Sequence, residues 1–70
     1  MPLVVAPLNK ELKVIKVLTD EKIKKYLESI GITINSIITV LQESAGNVIC
    51  VVKNVRLALD HNIATKIFVA

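Results

Sequence analysis

The sequence predicts a small, mainly β domain: about five short strands around an aliphatic core, with one helix after the first strand. Three observations predict it. Hydrophobic residues make up 53% of the chain, yet only Tyr26 and Phe68 are aromatic, so the core has to be built from Ile, Val and Leu. After Gly31 the chain is a succession of β-branched runs, SIITVLQE, NVICVVK, VRLAL and KIFV, separated by turn residues. Before Gly31 a single stretch has helical periodicity, carried by Ile23, Tyr26 or Leu27, and Ile30. Seventy residues are expected to form one domain, 1–70. A chain this short buries only about 60% of its unfolded surface, so each core side chain counts heavily.

The elements follow in order. MPLVVAPLNK is an N-terminal arm that Pro2 and Pro7 keep out of helix. ELKVIKVL, 11–18, alternates as a strand, with Leu12, Val14 and Lys16 on one face and Lys13, Ile15 and Val17 on the other. Thr19 is the expected N-cap of the helix, with Asp20 and Glu21 in its first turn, where carboxylates suit the helix dipole. Gly31 fits the position just past the helix end, where φ is usually positive. Lys22, Lys24, Lys25 and Glu28 take the wetter face. Strands are expected at 36–43, 47–53, 55–59 and 66–69, with SAGN as a hairpin turn and DHNIAT as one helical turn capped by Asp60. Between Gly31 and the strand at 36 the chain must turn without Gly or Pro. Asn is the residue besides Gly that best tolerates the left-handed conformation, so Asn35 is expected to make that turn. Asn9 and Asn54 are expected to do the same beside other strands. Strand, helix, three-strand meander, short helical turn and last strand together describe an SH3-like barrel.

Composition excludes several function classes. The longest apolar runs, such as VICVV, fall far short of the roughly 20 residues of a spanning helix. The N-terminus lacks the leading basic segment of a signal peptide. A single cysteine, Cys50, forms no internal disulfide, which suits a reducing compartment. Cys50 and His61 are the only soft metal ligands, too few for a structural zinc site. Cys50 reads as a small core residue and His61 as an exposed turn residue. No nucleophile–base pairing, phosphate loop or His cluster is present, so neither catalysis nor a cofactor is expected.

Two features point to contact with another molecule. Lys22, Lys24 and Lys25 form a basic patch on the helix, either a solvated face or a docking surface for an acidic partner. The balance of nine basic and six acidic residues is mild, and with two aromatics for base stacking it favours no nucleic acid. The second feature is apolar residues in excess. If Ile38, Val40, Val48, Cys50 and Val52 face the core, then Ile37, Leu41, Ile49 and Val51 face out. An apolar outer face is either an interface, with a partner or a second copy, or is covered by the arm MPLVVAPL.

APLNKELKVIKV, YLESIGITIN, SIITVLQESAGNVICVVKN and ALDHNIATKIFV stand in the order of the FeoA family, and the chain resembles that family over nearly its whole length. The C-terminal stretch matches best, through Ala58, Leu59, Ala64, Ile67 and Val69. Ile34-Asn35 stands where the family usually has Pro-Gly, and Asn54 where a glycine is usual. The resemblance implies a cytoplasmic accessory of ferrous iron transport, held at the inner face of the membrane through a partner, the GTPase-permease FeoB. The candidate partner-contact residues, from the alternation and the basic helix face, are Ile37, Leu41, Ile49, Val51, Lys22 and Lys25. The alternatives are a nucleic-acid-binding small barrel and a detached SH3-like regulatory domain of a metal-responsive repressor.

Overall fold

A computed structural model describes residues 1–70. A 3-10 turn at Leu3–Val5 precedes β1 (Glu11–Val17), α1 (Glu21–Ser29), β2 (Ile37–Ser44), β3 (Asn47–Val52), β4 (Val55–Leu59), α2 (His61–Ala64) and β5 (Ile67–Val69). The strands form one antiparallel sheet in the order β4-β3-β2-β1-β5. β4 and β5 are its two ends and do not pair, so the SH3-like sheet curls around its core without closing. The core is aliphatic throughout, with Cys50 and Ala64 as its smallest members, and it buries no polar side chain. Tyr26 is exposed.

α1 begins one residue later than Thr19 would place it. Asp20 is the N-cap: its backbone is extended, and its Oδ1 accepts the Ile23 N–H at 2.9 Å. A carboxylate there also meets the positive end of the helix dipole, which a threonine hydroxyl does not. At the other end Gly31 has φ +93°. Its N–H donates to Glu28 O, and the Ile32 N–H reaches back to Leu27 O at 2.8 Å. This closure satisfies the last carbonyls of the helix and brings Ile32 under Leu27, where both are buried. Ile23 and Ile30 complete the inward stripe as half-buried neighbours of the core.

The chain then turns at Thr33–Ser36, closed by the Ser36 N–H donating to Thr33 O at 3.0 Å. Asn35 takes the position that needs a positive φ, with φ 75°. The Ser36 hydroxyl donates to Gly31 O and accepts the Thr33 N–H, which ties the turn to the helix end. Asn9 and Asn54 are also left-handed, at φ 62° and 65°. Replacing Asn35 or Asn54 by Gly is therefore expected to be neutral or mildly stabilising, whereas Val should destabilise. Chemical denaturation of the four variants checks this, and equal tolerance of Gly and Val would refute it.

Two left-handed residues lie where the sequence points to none. The two-residue hairpin loops Ala45-Gly46 and Lys53-Asn54 have positive φ at both central positions. The strand twist imposes this whatever the side chain. Lys53, expected as the last residue of a strand, is thus the first residue of a turn.

The alternation of β1 also breaks. Its first half pairs with β2 and its second with β5, and the register shifts between Val14 and Lys16. Ile15 is the extra residue of the bulge. Val14 and Val17 are therefore both buried, although strict alternation assigns them to opposite faces, and Lys16 is exposed.

Candidate functional site

Ile38, Val40, Val48, Cys50 and Val52 all face the core. The opposite face of the sheet carries the remaining side chains of the meander. Its cross-strand registers line up Glu11, Thr39, Val51 and Arg56 across β1 to β4. A second row joins Gln42, Ile49 and Ala58, and Lys13 lies opposite Ile37. Two shallow depressions mark this outer face. One, of about 460 Å³, is lined by Glu11, Asn35, Ile37, Thr39, Val51 and Lys53 among others. The other, of about 390 Å³, includes Gln42, Asn47, Ile49, Ala58 and Asp60.

Three of the four apolar residues singled out from the sequence thus line these depressions: Ile37 and Val51 the first, Ile49 the second. Ile37 is 49% exposed, and Ile49 and Val51 are half-buried. Leu41 lines neither. A register shift between Val40 and Gln42 makes Leu41 the extra residue of a bulge, so Gln42, not Leu41, pairs with Ile49.

The arm does not cover this face. Leu3 is fully buried in the core, and Val4 and Ala6 pack against the core. Pro2 bridges Phe68. The Val69 N–H donates to Met1 O, and the terminal amine donates to Val69 O, both at 2.8 Å. The arm is therefore a plug and edge cover at β5. Its proline-bounded turn points Leu3 inward, where more apolar area is removed from water than on an open sheet surface.

Lys22 and Lys25 lie on the exposed face of α1 and line neither depression. Besides Lys13, the cations that the fold brings to the outer face are Lys53, in the first depression, and Arg56, beside Val51. Spacing along the chain gave no sign of them, because their place depends on the β3–β4 register.

Chemistry-bearing side chains are sparse. The Cys50 thiol is buried, and loss of solvation pushes its pKa up to about 11, so it is a protonated core group near neutrality. His61 is exposed at the start of α2, and its backbone N–H donates to Asn47 Oδ1 at 2.9 Å. Its ring lies over Gly46, where any Cβ would collide with Nδ1. No three His, Cys, Asp or Glu side chains come together as metal ligands, and no helix is long and apolar enough to cross a membrane.

The model of the FeoA domain matches residues 1–70. The chain belongs to the FeoA family. It is similar to an iron uptake regulatory protein (FeoA) of known crystal structure, with 30% identity over 100% of this chain and 93% of that one, and a TM-score of 0.86. The iron(II) transport protein A from Clostridium thermocellum has the same fold, with a TM-score of 0.88 at 17% identity over 99% of this chain and 44% of that one. So does the FeoA protein from Chlorobium tepidum, with a TM-score of 0.86 at 18% identity over 99% and 68%. No curated protein matches the sequence. The positions where this chain departs from the usual FeoA pattern keep their turns: Asn35 and Asn54 supply the positive φ that glycine supplies elsewhere.

Proposed function

We propose that this FeoA-family protein, an accessory of ferrous iron transport, works by contact and not by catalysis. Its outer sheet face docks on the GTPase domain of a FeoB-like permease, on the cytosolic side of the membrane. Ferrous iron is the permease's cargo, and this chain shapes the transporter rather than holding the ion. The observation that supports the reading is the apolar outer face, where Ile37, Ile49 and Val51 line two depressions that the arm leaves open. On docking, burial of these residues supplies affinity. Lys22 and Lys25 on α1, with Lys53 and Arg56 nearer the sheet, steer the approach of an acidic surface.

Titration of the permease's soluble GTPase domain tests this. Ile49→Lys and Val51→Glu should each weaken binding about tenfold or more, as loss of an interface anchor does. Because both side chains point away from the core, stability should change by only about 0.5 kcal/mol. Unchanged binding by both variants would remove the outer face from the mechanism. Sedimentation of the same variants reads out self-association through this face. A nucleic-acid role predicts an affinity that falls steeply with salt. We expect no binding of DNA or RNA at physiological salt, and micromolar binding there would overturn the protein-partner reading.

A further inference from the structure

β4 ends the sheet, and no strand pairs with its far edge. At the other end of the sheet, the arm covers β5 through Met1 and Pro2. The β3–β4 register runs without a shift, and the two-residue Lys53-Asn54 turn makes Val52 and Val55 a hydrogen-bonded pair. Alternation then makes Cys50–Leu57 and Val48–Leu59 hydrogen-bonded pairs as well. The N–H and C=O groups of Arg56 and Ala58 therefore point away from β3. Neither residue appears in a backbone hydrogen bond to any loop, turn or terminus. Protein edges of this kind are commonly blunted by a proline, a bulge or an inward charge, and β4 has none of them.

Space for side chains flanks the edge on both faces. Between β4 and the end of α1 runs a groove of about 400 Å³ whose apolar lining is Ile30, Val52, Val55 and Leu57. On the outer face lie Arg56 and Ala58, both exposed. A strand laid along β4 sends alternate side chains to these two places.

We infer that β4 accepts an extended segment of another protein as a sixth strand, with apolar residues at one parity and acidic residues at the other. The groove takes the apolar set, since half of its lining is apolar and its two charged residues, Glu28 and Lys53, are of opposite sign. Arg56, paired with Val51, selects the acidic set on the outer side. The side-chain hydrogen bonds at this end of the molecule engage Glu43, Asn47, Asp60 and Thr65 and leave Arg56 free. A second copy of this chain is a poorer occupant. Antiparallel pairing centred on Leu57 sets Arg56 opposite a second Ala58 and diagonal to a second Arg56, like charges on one face. The inference rests on the β4 edge, its flanking groove and Arg56, and does not depend on which protein docks on the outer face.

The probe is a capped ten-residue peptide of alternating Glu and Val, titrated into the full chain by amide NMR, with an alternating Lys and Val peptide beside it. The acidic peptide should shift the Arg56 and Ala58 amides and slow their hydrogen exchange, and the basic peptide should bind at least tenfold more weakly. N-methylation of the acidic peptide at alternate residues, on the parity that faces the edge, should abolish binding without altering the protein. Arg56→Glu should reverse the preference between the two peptides. Equal binding of both peptides, shifts confined to residues off β4, or no binding at millimolar peptide would each overturn the proposal. Concentration-dependent protection of the Arg56 and Ala58 amides without peptide would overturn it too, in favour of a second copy.

Discussion

Leu27→Ala is expected to lower the melting temperature by roughly 10 °C or more, or to leave the chain unfolded. Leu27 is 1% exposed and belongs to the core. Its backbone carbonyl, which the substitution keeps, receives the Ile32 N–H that closes the helix end, so the loss is one of side-chain packing alone. Truncating a buried leucine costs about 2–5 kcal/mol through lost transfer energy and the cavity left behind. Natural domains hold only about 0.05–0.15 kcal/mol per residue in reserve, so a chain of this length loses much of its margin. Thermal and urea melts of the variant check the result, and an unchanged curve would remove α1 from the core. Tyr26→Ala, one residue earlier on an exposed position, is the control and should change little.

Removing the arm should cost as much. Leu3→Ala is expected to destabilise by about 2–5 kcal/mol, because Leu3 is fully buried beside α2 and β5. Deletion of residues 1 to 6 goes further. It empties the Leu3 site and strips the two backbone hydrogen bonds from Val69, which leaves β5 as an open edge. An open edge beside an exposed core invites pairing between chains, so the deletion variant should aggregate as well as melt early. Light scattering during a thermal melt separates the two effects. A deletion variant that melts like the full chain and stays monodisperse would show the arm to be dispensable.

The inward set of the meander was legible in the sequence because side-chain period and burial agree over Ile38, Val40, Val48, Cys50 and Val52. The three left-handed asparagines were legible because that conformation discriminates strongly among residue types. The end of α1 was legible for the same reason at Gly31. α2 and its Asp60 cap followed from local chemistry too: Asp60 Oδ1 accepts the Ile63 N–H at 3.0 Å.

What the sequence left open depends on which strand lies beside which. Ile15 and Leu41 became bulge residues because a sheet that curls must shift register where one strand passes between partners or bends, and no local pattern marks that place. Ala45 and Lys53 became left-handed because the hairpin geometry overrides their own preference. The destination of the arm was settled by the space left between α2 and β5, which only packing creates. The candidate surfaces divide along the same line. Alternation alone put Ile37, Ile49 and Val51 on the outer face. Strand order put Lys53 and Arg56 near them, kept Lys22 and Lys25 apart on α1, and left β4 with an unpaired edge. Side-chain identity fixes periodicity and turns because these are short-range, whereas register, edges and charge placement arise from pairings between residues far apart in the chain.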